Sequence, residues 1–433
     1  MRPKNVEELI FIIKNASSKS LIARGLGRSY GDAAQLKGSK VISLKDFNKI
    51  DLDRSKGTIR VGSGVSLEKL LNYIVPKGFF IPVSPGTSRV SIGGAIASDV
   101  HGKNHHVDGS FGDHVIELVL INGKAELQKL YPNNLKGAQN TKEFWATIGG
   151  MGLTGVIIEA TFSLIKIESS FMSVDTIRFD NLNSLINEMI ISESKFRYSV
   201  AWIDSSDKNG RGILSLGNHA QINQLSTKQK SNPLNFVSNS AISSPNFLPK
   251  GLINKFTIAA FNNAWFYKSP SLEKNKIQKI SSFFHTLDGI SKWNNIYGKS
   301  GFIQYQFVVP SNNIYMIKKT LDTLREKKAY SFLTVLKQFG NSNNGLLSFP
   351  EKGWTLAIDV PNTGHKLLKI LDDLDEELAK CGGKIYLAKD ARQSSNMFKK
   401  TYKSYENWKN IKLKMDPEIK FVSDISNRLK MFV

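Results

Sequence analysis

Between Ser84 and Val115 the chain places six glycines and four of its seven histidines, with few long apolar side chains. Backbone without side-chain bulk lets a large ligand approach closely, above all at the adjacent Gly93 and Gly94. Such a run is not expected to pack a core, so it reads as a binding wall whose N–H groups meet a ligand. His101 and His105 stand four apart, beside His106, His114, Asp99, Asp108 and Asp113, a set that would suit a metal on a helix. The glutamate of an HExxH pair is absent, and the glycines argue against the regular helix that the spacing needs. No metal is expected. Hydrogen-bonded loop histidines are the plainer reading, and a hydride-accepting cofactor packed on this wall accounts for the glycines as well.

A second glycine loop, Arg24-Gly25-Leu26-Gly27-Arg28-Ser29-Tyr30-Gly31-Asp32, follows the short apolar strand Leu21 to Ala23. Its spacing is GxGxxxG, not the GxGxxG of dinucleotide-binding folds. Residues 32–44 read as loop and strand, so no helix N-terminus follows to hold a pyrophosphate. A nest of successive N–H groups, helped by Arg24 or Arg28, could replace that helix. A lone glycine loop is often a plain turn. Two within one hundred residues favour a ligand.

Lys389 lies in Tyr386-Leu387-Ala388-Lys389-Asp390-Ala391-Arg392, just beyond the glycine pair 382–383. A lysine on a short strand facing a pocket can anchor an anion, or act as a base if desolvation lowers its pKa. It is also one of fifty-nine Lys and Arg. Gln304 and Gln306 share one face of a strand, as do Lys337 and Phe339 on theirs. Such pairs either face solvent or line a polar cavity.

The elements that position these residues follow from periodicity. Residues 5–15 read as a helix, and Ser66 as the cap of a helix that Gly78 stops. Residues 41–44, 58–64, 79–83 and 114–123 read as strands, and 152–167 as a β-rich run. Strands resume at 171–179, 198–204 and 212–220, then at 301–310, 330–340 and 354–361, before an amphipathic helix from His365. Residues 218–256 are rich in Asn, Ser, Gln and Pro and read as a mobile loop over a substrate site. The order is α+β rather than a βαβ alternation. At 433 residues, two domains are expected.

Cys381 is the only cysteine, which excludes a disulfide framework and a Cys-based metal site. No apolar run suits a signal peptide or a spanning helix, so a cytoplasmic location, or one peripheral to the inner face of the plasma membrane, is expected. The net charge of +22 fits nucleic acid, an anionic membrane or phosphorylated lipid, or simply a solvated lysine-rich surface. Basic residues are not interleaved with a stacking series of aromatics, and nucleic acid is not expected.

The segments RGLGRSYGD, VSIGGAIASDVHGKNHHVDGSFGDHV, FIQYQFVVP, VLKQFG and YLAKDAR resemble the decaprenylphosphoryl-β-D-ribose 2′-oxidase family. That family belongs to the vanillyl-alcohol-oxidase-type FAD oxidoreductases, and the matches run in order from Arg24 to the SDISNRLKM tail. The resemblance implies a two-subdomain PCMH-type FAD-binding domain from residues 1–168 and the returning segment 384–433. An antiparallel-sheet substrate domain, 169–383, would be inserted between them, with the mobile loop at about 218–256.

The same resemblance implies FAD as the cofactor, its pyrophosphate lying along Arg24 to Asp32. Gly86, Thr87, Gly93, Gly94, Ser98, Asp99, Val100, His101 and Val156 would hold the rest, with Tyr386 closing over it. His101 would not be bonded covalently to the flavin. Lys389 and His101 would be catalytic, and Tyr30, Lys103, Gln304, Gln306, Lys337, Phe339 and Lys389 would bind the substrate. Ala357 stands where actinobacterial members carry a cysteine. The implied reaction oxidises the 2′-hydroxyl of a polyprenylphosphoryl ribose to a ketone, which an NAD(P)H-dependent keto-reductase partner would reduce to the arabinose epimer. A soluble sugar or aldonolactone oxidase on this scaffold is the alternative, and a basic nucleic-acid- or lipid-binding module the non-enzymatic one.

Overall fold

Two antiparallel sheets carry most of the chain, and the site lies between them. The computed structural model describes residues 1–433 apart from 134–139, 239–241, 244–252, 292 and 433. The first sheet has five strands in the order Ile50–Asp53, Thr58–Gly62, Val156–Ser163, Val115–Ile121 and Leu127–Leu130. Its centre is buried on both faces. On one side Val156 and Ile158 meet Leu9 and Ile13 of the helix Val6–Lys14. On the other, Ile157, Ala160 and Phe162 join the largest core, with the helix Leu67–Ile74. Both helices start where side-chain caps predict: Asn5 accepts from the Glu8 N–H and Ser66 from the Lys69 N–H.

The second sheet has eight strands in the order Leu272–Lys279, Phe171–Phe179, Gly212–His219, Tyr198–Ile203, Thr334–Phe339, Gly353–Pro361, Phe302–Pro310 and Lys384–Ile385. Period-two alternation sorts its residues by face. Ala201, Tyr305, Phe307, Leu336 and Leu356 pack under the helices Leu182–Ser192, Tyr315–Glu326 and His365–Lys380. Their neighbours Val200, Gln304, Gln306, Val335 and Ala357 line a cavity on the opposite face.

The chain then crosses back. After Lys384–Ile385 it runs through Lys389 into the helices Ser395–Thr401, Tyr405–Met415 and Asp424–Arg428. Phe398, Tyr402, Trp408 and Met415 enter the core of the first sheet, and the Trp408 indole donates to the Ala146 carbonyl at 2.9 Å. Asp416 pins the return. It pairs with the fully buried Lys412 and accepts the backbone N–H groups of Lys420 and Phe421, each at 2.9 Å.

Two expectations change. The 79–83 strand contracts to Phe79–Phe80. The loop expected over 218–256 instead finishes the strand Gly212–His219 and makes helical turns at Ile222–Gln224 and Thr227–Lys230, with a helix starting at Lys255. Residues 239–241 and 244–252 of that expected loop lie outside the described residues.

Asp416→Ala leaves the Lys412 ammonium buried without its partner, which costs ~3–5 kcal/mol in comparable buried pairs. Urea unfolding of the full chain should show that loss. A loss under ~1 kcal/mol would mean the pair does not hold the return.

Candidate active site

A cavity of about 910 Å³ opens between the sheets, within the usual size range of cofactor and substrate pockets. Four stretches wall it: the Arg24–Tyr30 loop, the segment from Ser84 to Lys103, the polar face of the eight-stranded sheet, and Tyr386 to Lys389. The crossing segment also braces the glycine loop, because the Tyr30 N–H donates to the Ala388 carbonyl at 2.9 Å.

In the Arg24–Tyr30 loop, nothing among the described residues accepts a hydrogen bond from the backbone N–H of Leu26, Gly27, Arg28 or Ser29. Those groups face a wall that a phosphate could satisfy. Gly25 is needed for close approach: a Cβ there would stand 2.0 Å from the Ser91 hydroxyl. That hydroxyl caps a helix by accepting the Gly94 N–H at 3.2 Å.

The capped helix, Ile92–Ala97, overturns part of the glycine-wall expectation. Ile92, Ala95 and Ile96 are fully buried in the main core, so the run does pack one. The Ile92, Gly93 and Gly94 N–H groups already serve Val65, Ser63 and Ser91. The helix is positioned by protein partners, and its polar end beyond Ala97 reaches the cavity at Ser98, Val100 and His101.

Asp99 sets how that end turns. It sits at φ 40°, fully buried, and accepts from the Gly112 N–H (2.8 Å), the Ser110 hydroxyl (2.7 Å), the Asn343 amide (2.9 Å) and the Ser348 hydroxyl. His101, two residues on, lies 4.8 Å from the Phe339 ring and 5.2 Å from that of Tyr386, centroid to centroid. Its Nε2 meets the Gln306 amide nitrogen at 3.0 Å, and its Nδ1 is buried with no protein partner. Burial, with Lys337 adding to it, holds the imidazole pKa well below its usual value, so the ring is neutral. With Nε2 accepting from the amide, the proton resides on Nδ1. Tyr386 closes the wall by donating its hydroxyl to the Ser98 carbonyl at 2.9 Å.

Cationic side chains converge opposite. Lys103, Lys337 and Lys389 are half-buried and line the cavity, with the Lys103 ammonium donating to the Phe283 carbonyl. Enclosure by protein pushes the Lys103 ammonium down to about 7 and that of Lys337 to about 8. Lys389, 3.7 Å from the centroid of the Tyr30 ring, is lowered by the same desolvation and supported by Asp359. Asp359 is fully buried and its carboxyl is raised by burial. It accepts from the Gln304 amide across the strand pair, and its second oxygen has no hydrogen-bond partner. Burial thus drives the lysine down and the carboxyl up, each toward the other's range.

Five of the expected residues stand off the cavity wall. Gly31, at φ +68°, lets the loop pass the crossing segment; a Cβ there would meet the Asp390 carbonyl at 2.2 Å. Asp32 pairs with Arg428 at 2.7 Å. Asp99 braces from beneath, and Phe339 packs against His101 and His105. Val156 turns into the Leu9–Ile13 core, while its neighbours Gly155 and Ile157 reach the cavity. The other expected residues line it. The histidines part ways: His105 accepts from the Gly340 N–H, His106 meets the Phe196 carbonyl and His114 the Asp108 carbonyl. Among the described residues no cluster of three or more potential ligands could hold a metal. Sequence reasoning missed Asp359, although it sits two residues from Ala357 on the polar face. It also missed Trp293 and Phe302, which add aromatic surface to the cavity.

Gly25→Ala must displace either the loop or the Ser91 cap, worth ~1 kcal/mol or more. FAD retention, read from the visible absorbance of purified protein, should fall about tenfold, since 1.4 kcal/mol is tenfold in binding. Undiminished retention would place the loop away from the cofactor.

Comparison with known proteins shows the family. A family model described as an FAD binding domain matches residues 1–131. The chain is 38% identical over 422 residues to decaprenylphosphoryl-beta-D-ribose oxidase of Mycolicibacterium smegmatis, covering 95% of this chain and 90% of that one. It is 27% identical over 378 residues to an uncharacterized protein in the mprA 5′ region of Streptomyces coelicolor, covering 84% and 100%. Over 190 residues it is 25% identical to D-lactate dehydrogenase of Archaeoglobus fulgidus, 43% of each chain. The partial match shares less than half of the molecule, whereas the first spans nearly all of both chains. This protein is an FAD-binding oxidoreductase and belongs to the decaprenylphosphoryl-β-D-ribose oxidase family.

Proposed function

We propose that the protein oxidises the 2′-hydroxyl of a polyprenylphosphoryl-β-D-ribose to the 2′-ketone, using FAD held without a covalent bond. The observation that carries this reading is the convergence of Lys103, Lys337 and Lys389 with Gln304 and Gln306 in one cavity. The lysines suit a phosphate, and paired amides suit sugar hydroxyls. Residues 1–168 and 384–433 would hold the cofactor, and 169–383 the sugar. The ketone would then pass to an NAD(P)H-dependent keto-reductase that delivers the arabinose epimer.

The cofactor fits what the chain presents. The N–H groups of Leu26 to Ser29 would take the pyrophosphate. His101 Nδ1 would donate to the flavin, and Tyr386 would cover it. When bound, FAD supplies the acceptor for the carbinol hydride. The ring of His101 is packed among aromatics and engaged by Gln306, which supports a hydrogen bond to flavin rather than a bond to carbon. Acid precipitation should therefore release the flavin into solution; flavin retained on the pellet would overturn the non-covalent reading.

Lys389 takes the hydroxyl proton as the C2′–H hydride leaves, so the carbinol carbon loses two electrons and becomes the carbonyl. Asp359 holds the ammonium that forms. Lys103 and Lys337 anchor the phosphate, and Gln304 and Gln306 fix the ribose face.

Lys389→Ala should abolish anaerobic bleaching of the flavin by polyprenylphosphoryl ribose while leaving FAD bound. Unchanged bleaching would remove Lys389 from the mechanism. Bleaching by a soluble sugar or aldonolactone, and not by the prenyl phosphate, would favour that substrate class instead.

The pH profile tests the pairing. A base must be unprotonated, so kcat/KM should fall as acid protonates Lys389 through about 7. Asp359 raises the lysine pKa, so Asp359→Asn should move that limb down by about one unit; complete loss of turnover would move the base to Asp359. Anion anchoring needs protonated lysines, so KM should rise as pH climbs from about 7, where Lys103 loses its charge, through about 8, where Lys337 does. Lys337→Met should raise KM about tenfold with a small change in kcat, as the loss of a charged hydrogen bond implies.

A further inference from the structure

The helix Lys255–Lys268, KFTIAAFNNAWFYK, breaks the pattern of the other helices. Only Ile258, Asn262 and Phe266 are buried. Its attachment is largely polar: the Asn262 amide donates to Asp204 (2.8 Å) and to the Ser331 carbonyl (3.0 Å), and the Arg211 guanidinium to Asn263 (3.0 Å). The other aromatic side chains stay outside. Phe256 is 73% exposed, Tyr267 64%, Phe261 48% and Trp265 42%. A cluster of exposed aromatics on one short helix marks an interaction surface rather than ordinary solvent contact.

Charge decides what it meets. Between Asp207 and Glu273 the sequence holds no acidic residue and seven Lys or Arg. Lys255 and Lys268 bracket the helix. The edge strand that follows, Leu272–Lys279, adds Lys274, Lys276 and Lys279. Lysines also guard a sheet edge against pairing, but that role does not require aromatics in water beside them. Amphipathic aromatics among lysines match the interface of an anionic bilayer, where ring and ammonium each find their medium.

An aromatic track connects this surface to the site. From Tyr30, beside Lys389, ring centroids follow to Phe302 (5.6 Å), Tyr297 (4.4 Å), Phe332 (5.4 Å), Phe261 (6.0 Å) and Trp265 (6.3 Å). It begins at the reacting sugar's place and ends on the exposed helix.

We propose that the 255–268 helix docks on an anionic lipid surface, and that the aromatic track behind it receives the substrate's prenyl chain from there. The second half rests on the polyprenyl substrate proposed above; the docking does not.

The test is flotation of the full-length holoenzyme with vesicles of phosphatidylcholine alone or mixed with phosphatidylglycerol. Partition should be about tenfold higher on the anionic vesicles and should decline with salt. The double variants Phe256→Ser/Trp265→Ser and Lys255→Glu/Lys268→Glu should each remove that gain, with flavin absorbance and melting temperature unchanged. Equal partition on both vesicles, parental binding by both variants, or self-association that the same variants abolish would each overturn the docking. Phe332→Ala, midway along the track, should raise KM about fivefold for the prenylated substrate and leave it unchanged for a prenyl-free ribosyl phosphate, as expected from one lost apolar contact of about 1 kcal/mol. Equal change in both would overturn the track. Flotation without oxidation of lipid-linked ribose would refute the substrate and spare the docking. Oxidation in detergent without flotation would refute the docking alone.

Discussion

Taking lysine side chains out of water is the physical cost around which this site is organised. An ammonium group moved into protein loses several kcal/mol of hydration unless a partner replaces it. Here three of them line one cavity, and Asp359 offsets the loss only for Lys389. The lysines' surroundings are short of negative charge, so they shed protons more readily, and an anion bound beside them would restore what enclosure removed. Both properties come from one arrangement. One oxygen of the buried Asp359 has no hydrogen-bond partner.

Such a balance depends on rigidity, and the two sheets supply it differently. The eight-stranded sheet sorts its side chains by alternation, so the amides and Lys337 reach the cavity because their neighbours are buried under helices. The opposite wall is irregular, and hydrogen bonds replace periodicity. Asp99 gathers Ser110, Gly112, Asn343 and Ser348. Asp288 does the same for Ser88 and Thr87, linking the glycine segment to a turn some 200 residues away. Each carboxylate ties two distant stretches together where no strand could.

What was legible in the sequence follows this division. Period two put Gln304 with Gln306, and Lys337 with Phe339, on one face of their strands, but left open whether that face met solvent or a cavity; only the family resemblance pointed them and Lys389 to a site. The short helix Ile92–Ala97 was hidden by its glycines, which local propensity penalises and tertiary packing accepts. Val156 shows how fine the register is: Gly155 and Ile157 reach the cavity and the residue between them faces the other core. Asp32, Asp99 and Gly31 looked like ligand contacts because their partners, Arg428, Asn343, Ser348 and Asp390, lie hundreds of residues downstream. A single acid in an apolar strand, such as Asp359, has no local signature at all.

The returning segment sets an order of events during synthesis. The eight-stranded sheet has all its strands once Ile385 is made. The first core still lacks Phe398, Tyr402, Trp408 and Met415, which come after that sheet in the chain. The older half can therefore close only after those residues are made, and the glycine loop is braced only once the chain has passed Ala388. A chain that stopped short of Ala388 would keep both an unbraced glycine loop and an open hydrophobic face.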